Sequence, residues 1–202
     1  LREAVLAGRY EPGQRLVPAE LSAEYSVSPG VLREALTRLA EQQLATLEPN
    51  RGYRVISIDA KQIEELVELR RVTECAALRM AIQRGDAAWE SHIIAALHRL
   101  KAARQTDNRL ERSQAHHDFH MTLLSACGNQ RLLDMCDANF RASELYRYWS
   151  AAPQRTQPRS AKRDEDTEHE EIERAVLARD LELAVELYDA HLQRTAQQVG
   201  VI

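Results

Sequence analysis

Two histidines four residues apart, His116 and His120, have a spacing that suits metal chemistry. On an α-helix, residues four apart lie one above the other on the same face, so both imidazoles can reach one cation. Zinc and related first-row metals bind imidazoles in this way. The pair supplies half of a site, and the remaining donors must come from another segment of the chain.

Two further histidines flank a predicted turn at Arg179-Asp180: His169 lies ten residues before Arg179 and His191 eleven residues after Asp180. At about 1.5 Å per residue, each lies roughly 15 Å from the turn, so the two are level in an antiparallel helix pair. A single buried histidine is more often a hydrogen-bonded core residue than a ligand. The level pairing nevertheless favours a four-histidine site for Zn(II), Ni(II) or a related first-row metal.

Neighbouring polar residues are predicted to lie off this face. Asp118 is rotated about 160° from His120 on an ideal helix, which makes it an unsuitable ligand. His117 is likewise rotated away. His92 and His98 belong to another predicted helix, and the sequence offers them no matching donors.

The second half of the chain has only helical periodicity, which predicts an all-α antiparallel bundle over residues 61–202, large enough for a cavity. Breaks are marked by glycine, proline and polar turn residues. Helices are expected at residues 61–84, 87–105, 108–126, 130–149, 160–178 and 181–198.

Residues 1–58 have a different pattern. A helix ending near Ala7 and a short helix starting at Pro18 precede a longer helix from Pro29 to Gln43, which Ser28 is predicted to cap. The buried stripe of that longer helix is predicted to contain Val31, Leu32, Ala35, Leu36, Leu39 and Ala40.

The outer side of the same helix carries Arg33 and Arg38. Two strands, at residues 44–48 and 53–58, are then joined by a tight hairpin at residues 49–52. Three helices and a hairpin make a winged helix-turn-helix, whose third helix enters the DNA major groove and whose wing lies on the backbone or minor groove. The expected fold is therefore mainly α, with a winged helix-turn-helix domain at 1–58 followed by the bundle.

Three runs of the first half are informative together: Gly8–Leu16, Val27–Leu39 and Pro49–Val55. In combination they resemble the DNA-binding domain of GntR-type transcription regulators. The resemblance implies that Arg33 enters the operator and that Arg51 and Gly52 form the wing tip. Arg15, Arg38 and Ser28 are the other DNA-binding candidates.

One departure from that family is Pro29, which stands where these regulators frequently have a second DNA-contacting arginine. Proline still fits a first helical turn, so the fold is unaffected while operator affinity and sequence are put in question. The competing interpretation of Arg33 and Arg38 is a solvated helix face paired with Glu34 and Glu41.

Three runs of the second half are also informative: Arg70–Glu74, Phe119–Leu132 and Glu168–Leu192. Together they are similar to FCD, the FadR-type effector-binding domain of the same regulators. This resemblance implies metal ligands at His120, His169 and His191, and His116 occupies the position of a family aspartate ligand.

The same resemblance implies an organic acid effector beside the metal, opposed by Arg70. The alternative for Arg70 is an ordinary ion pair with Glu74, four residues later. Arg141 and Tyr146 are further candidates to line the cavity, with Tyr148 and Trp149. Aromatic residues at helical spacing are, however, more often core or dimer contacts.

Composition is that of an ordinary globular chain, with 202 residues, 44% apolar and 29% charged residues, and a net charge of −4. No apolar run is long enough to span a membrane. Residues 1–58 carry seven arginines, seven glutamates and no lysine, so any positive surface there is local. Cys75, Cys127 and Cys136 lack metal-type spacing and are predicted to be core residues of a cytoplasmic protein.

Three functions remain open for such a chain. The first is a dimeric transcription regulator of double-stranded operator DNA, controlled by a small carboxylate bound at the metal-containing bundle. The second is a regulator in which the ion itself is the effector. The third is a metalloenzyme, which is disfavoured because no acidic residue is placed as an obvious base and four histidines leave little open coordination.

Overall fold

The computed structural model describes residues 1–6, 8–42, 44–49, 51–57, 60–150 and 163–198. The N-terminal elements are α1 (Arg2–Leu6), β1 (Arg15–Leu16), α2 (Pro18–Tyr25), α3 (Pro29–Glu41), β2 (Ala45–Glu48) and β3 (Gly52–Val55). The later elements are α4 (Ala60–Arg84), α5 (Ala87–Ala103), α6 (Arg109–Leu124), a 3-10 turn (Ser125–Cys127), α7 (Gln130–Ser150), α8 (Glu165–Leu177) and α9 (Leu181–Gln198). The predicted fold class, a winged helix-turn-helix followed by a helical bundle, is confirmed.

The wing is a three-stranded antiparallel sheet in the order β1-β3-β2. The two strands predicted from sequence, β2 and β3, pair with Glu48 opposite Gly52 at the hairpin. The third strand, β1, was not predicted: it is only two residues long, and Arg15 pairs with Arg54 far along the chain. Gly52 has a φ of +82°, a conformation that glycine adopts without the steric cost other residues meet.

Helix α3 begins as the sequence predicts, because the Ser28 hydroxyl accepts a hydrogen bond from the Val31 backbone N–H at 3.4 Å. Its buried face is narrower than predicted and consists of Leu32, Leu36 and Leu39. The prediction for Val31 is wrong, since its side chain is 56% exposed. Val31 precedes Leu32 by one residue, and the resulting rotation of about 100° takes it to the surface.

Most bundle helices match their predicted positions closely. Helix α8 is the exception, because it begins at Glu165 and not at residue 160. Residues 160–162 of that predicted helix lie outside the described residues. Side-chain caps from Asp86, Asn108 and Asp164 start α5, α6 and α8. The turn between α8 and α9 places Arg179 at a φ of +57° and aligns the two helices as an antiparallel pair.

The chain divides into two compact units, residues 1–63 with 141–155, and residues 64–140 with 156–202. Each has its own apolar core. Cys127 and Cys136 are buried and Cys75 is partly buried. Burial raises the pKa of Cys75 and of Cys136 to about 12, which keeps both thiols protonated and inert. None of the helices in the described ranges is long and apolar enough to cross a membrane.

Candidate metal centre and DNA-binding surface

Helix α6 presents His116 and His120 to the bundle interior. Their exposures are 7% and 1%, and their Nε2 atoms lie 3.2 Å apart. Phe119, between them in sequence, is fully buried beside the same cluster. At this distance the two nitrogens either share a hydrogen, as an N–H···N hydrogen bond between neutral imidazoles, or direct both lone pairs at one cation.

Helices α8 and α9 bring His169 and His191 to the same place, with ring centroids 4.7 Å apart. Both side chains are buried. One nitrogen of each of the four imidazoles lies within 4.8 Å of the corresponding nitrogens of the others. The level pairing predicted from the turn at Arg179 therefore occurs.

The donor set fits a divalent first-row ion. Zinc–nitrogen bonds of about 2.0–2.1 Å imply edges of roughly 3.3 Å between ligand nitrogens of a tetrahedral site. The 3.2 Å separation of the His116 and His120 Nε2 atoms agrees with that edge. Neutral imidazoles suit Zn(II) and Ni(II), and all four would hold the ion.

A buried carboxylate supports one of these histidines. Glu168 accepts a hydrogen bond from His191 Nδ1 at 2.8 Å, and Arg163 donates to the other carboxylate oxygen at 2.8 Å. Burial by itself raises the pKa of Glu168, but the hydrogen bonds from Arg163 and His191 outweigh it and hold that pKa well below its usual range. Glu168 is therefore an anion beside the cluster.

A tyrosine supports a second histidine. The Tyr188 hydroxyl lies 2.9 Å from His120 Nδ1 and donates to Glu74 Oε2 at 2.7 Å. Burial, followed by the charge of Glu74, raises the pKa of Tyr188, so the phenol stays protonated. Arg70 completes this chain of contacts by pairing with Glu74 through its Nε atom at 2.6 Å.

The off-face residues behave as the helical geometry predicts. His117 lies 2.5 Å from Asp137 through its Nε2 atom, and Asp118 accepts a hydrogen bond from Gln114 at 2.7 Å. His92 and His98 are exposed on α5. None of these residues belongs to the four-histidine cluster.

The effector candidates occupy three different situations. Arg70 is 4% exposed, and the ion pair with Glu74 that the sequence offered as its alternative role is present. The guanidinium also lies 4.9 Å from the centre of the Phe140 ring, which itself contacts His116 and His120. Arg141 is exposed on α7, and the side chain of Tyr146 lies outside the described residues.

The DNA-binding candidates are largely exposed. Arg33 and Arg38 lie on the outer side of α3, and Arg51 and Arg15 are exposed on the wing and on β1. Arg38 pairs with Glu34 at 2.6 Å, but both side chains are more than half exposed, so the pair holds the arginine only weakly. Thr37 on α3 also shares a hydrogen bond with Tyr53 on β3 at 3.0 Å, which ties the helix to the wing.

Sequence reasoning missed the residues that support the histidines. Tyr188 lies three residues before His191 on α9, so helical spacing alone places it on the same face. Glu168 immediately precedes His169, but its contact is with His191, 23 residues away. Local spacing pairs Glu74 only with Arg70, because its contact with Tyr188 spans 114 residues.

A winged helix-turn-helix joined to a helical bundle with a buried histidine cluster defines a class of DNA-binding regulators. The profile of bacterial regulatory proteins of the gntR family matches residues 1–55, and that of the FCD domain matches residues 65–194. The chain therefore belongs to the GntR family of transcriptional regulators with an FCD domain.

Relatives along nearly the full chain agree with this assignment. The HTH-type transcriptional regulator BphR of Paraburkholderia xenovorans (strain LB400) is 32% identical over 98% of this chain and 82% of its own length. The HTH-type transcriptional repressor GlaR of Escherichia coli (strain K12) is 31% identical over 95% of this chain and 89% of its own. A crystal structure of a GntR transcriptional regulator from Rhodococcus sp. RHA1 is 27% identical, with a TM-score of 0.73 over 98% of this chain and 92% of that chain. These relatives are transcriptional regulators and not enzymes.

Proposed function

We propose that this regulator binds operator DNA as a homodimer and that a small carboxylate effector controls it from a metal-containing bundle. The observation that carries the proposal is the convergence of four buried histidines, with ligand atoms within 4.8 Å of one another. A bound Zn(II) or Ni(II) ion would supply a fixed positive charge at this point. Neutral imidazoles leave that charge at its full value, which supports an anionic effector.

The DNA contacts are assigned to the first domain, proposed as residues 1–58. Arg33 and Arg38 would face base edges and phosphates in the major groove, and Arg51 with Gly52 would approach the backbone from the wing. Arg15 and the first turn of α3 after Ser28 would contact adjacent phosphates. Exposure of the four arginines supports these roles.

The family and the neutral charge of that domain both support dimerisation. Seven arginines balance seven glutamates within residues 1–58, so a single copy has little net attraction for phosphate. Two copies on one operator would double the local contacts and read two half-sites. Effector binding in the bundle domain, proposed as residues 61–202, would then change the relative orientation of the two winged helices.

Among the effector contacts, we assign the central role to Arg70, whose pair with Glu74 lies next to the histidine cluster. A carboxylate effector would compete with Glu74 for this guanidinium. Arg141 and Tyr146 are assigned supporting roles on α7.

A second candidate is a metal sensor in which the ion alone is the effector. Burial of all four histidines favours it, because an enclosed ion leaves little room for a further ligand. The two candidates predict the same metal affinity and differ in their response to organic acids.

One titration separates these possibilities. A labelled DNA fragment selected by this protein from a random-sequence pool is titrated with and without chelator, and with a panel of mono- and dicarboxylates. A carboxylate-dependent shift in affinity supports the first candidate, and a chelator-dependent shift that no acid alters supports the second. Failure to select any DNA sequence under these conditions refutes the assignment of operator contacts.

A further inference from the structure

The histidine cluster is supported by two chains of polar contacts that end on different ligands. One runs from Arg163 through Glu168 to His191, and the other runs from Arg70 through Glu74 and Tyr188 to His120. Each chain starts at a guanidinium and ends at an Nδ1 atom. We propose that Glu168 and Tyr188 are positioning residues for the metal site proposed above, on which this inference rests. Glu168 fixes the tautomer of His191, and Tyr188 fixes that of His120. In both histidines the fixed tautomer directs the Nε2 lone pair into the cluster.

Proton counting fixes the tautomer of His191. Both side-chain oxygens of Glu168 accept hydrogen bonds from Arg163, so the 2.8 Å contact with His191 is made by a hydrogen on His191 Nδ1. Arg163 also approaches Nδ1, at 3.1 Å from its Nη2 atom. The two hydrogens of that atom are taken by Glu168 Oε2 and the His191 carbonyl oxygen, so Nδ1 remains the donor to Glu168.

The same count applies to His120. The single hydroxyl hydrogen of Tyr188 is donated to Glu74, whose two side-chain oxygens also accept hydrogen bonds from Arg70. Tyr188 can therefore only accept from His120 Nδ1, and this nitrogen must carry its hydrogen. The lone pair of His120 is then on Nε2, the atom that faces His116 at 3.2 Å.

Burial helps both series of contacts to hold the two histidine rings in place. Glu168, Tyr188 and Glu74 are at most 9% exposed, and water has little access to replace their contacts. Hydrogen bonds to the second nitrogen of a ligating histidine orient the ring and raise its basicity, and their removal typically costs 10- to 100-fold in metal affinity.

The test measures metal affinity in the 202-residue chain with Co(II) and Zn(II) as probes, by competition with a chromophoric chelator. Glu168→Gln and Tyr188→Phe are each expected to weaken affinity by about 10-fold or more. In Glu168→Gln the amide can offer an N–H and stabilise the opposite tautomer of His191. The visible absorption spectrum of the Co(II) protein is therefore expected to change in this variant as well.

Matched controls make the same chemical changes elsewhere. Glu171→Gln removes a charge from an exposed position on α8, and Tyr10→Phe removes a buried hydroxyl that contacts Glu24 and Tyr25. Both are expected to keep the wild-type affinity and spectrum. The melting temperature of the metal-free protein is recorded for every variant, because a purely structural role would lower it while leaving the metal affinity and Co(II) spectrum unchanged.

The outcomes separate the two proposals. Wild-type protein that binds neither ion refutes the metal site itself. Wild-type protein that binds, with Glu168→Gln and Tyr188→Phe binding as tightly and with the same spectrum, refutes the positioning roles while the metal site stands. Each series of contacts has its own variant, so if one variant fails to fold, the metal affinity of the other still tests the proposal.

Discussion

In the N-terminal unit Arg33, Arg38 and Arg51 are exposed, whereas in the bundle the side chains of Arg70 and Arg163 lie buried against glutamates. Arg38 illustrates the first environment, since it is 70% exposed and its pair with Glu34 is weak. Arg163 illustrates the second, since its side chain is 10% exposed and contacts Glu168, Thr195 and the His191 carbonyl oxygen. Arg38 is thus available to an outside anion, whereas Arg163 is committed to internal contacts.

The contrast follows from the cost of removing charge from water. An exposed ion pair contributes about 0–1 kcal/mol, and its arginine can exchange the glutamate for a phosphate at little cost. A buried pair has lost its hydration, so removal of one partner leaves an uncompensated charge. Exposed arginines therefore suit DNA binding, and buried ones suit the orientation of neighbouring side chains.

The largest effect is expected when buried histidines are compared with exposed ones. The double substitution His169→Ala, His191→Ala is expected to abolish stoichiometric binding of Zn(II) or Ni(II), because it removes half of the buried donor set. The matched control is His92→Ala, His98→Ala, which removes two exposed histidines from α5. Metal analysis of the purified proteins measures the effect. Equal metal content in both double variants would contradict the assignment of the cluster.

The next largest effect compares the two kinds of arginine directly. Arg163→Gln is expected to lower the free energy of unfolding by about 3 kcal/mol, because Glu168 loses its main buried partner. Arg38→Gln is expected to change it by less than about 0.5 kcal/mol. Chemical denaturation of both variants in the metal-free state measures the difference. Similar free energies of unfolding in the two variants would break the comparison between buried and exposed pairs.

DNA affinity tests the role of the exposed arginines on α3. Arg33→Ala is expected to weaken binding to the selected DNA fragment by about 1–3 kcal/mol if it reaches base edges. Arg9→Ala is the control, because Arg9 is 60% exposed but pairs with Glu24 outside α3 and the wing. Titration by fluorescence anisotropy at one fixed salt concentration compares them. A loss of equal size for Arg9→Ala would show that the binding is general electrostatic attraction and not a contact of α3.

The sequence was sufficient for features that depend on local spacing. Helix periodicity predicted the bundle helices, and the distances of His169 and His191 from one turn predicted that they would meet. It was insufficient where contacts join distant residues. The two-residue strand β1 exists only through pairing with β3, and the contact of Glu168 with His191 depends on how α8 and α9 face each other. Neither signal is present in a local pattern.

The smallest expected effect lies within the exposed wing, where backbone conformation takes the place of buried contacts. Gly52→Ala is expected to destabilise the protein by about 1–2 kcal/mol, because its φ of +82° is unfavourable for a residue with a Cβ atom. Among the described residues none has an atom within 4 Å of that added Cβ, so the expected cost comes from the backbone conformation. Gly30→Ala is the opposite control, since Gly30 lies within α3 and its added Cβ would make only ordinary contact with Ser28 at 3.9 Å. It is expected to stabilise by about 0.5 kcal/mol through helix propensity. Thermal melts of the two variants therefore shift in opposite directions, and a shared direction would show that steric surroundings, rather than backbone conformation, control the wing.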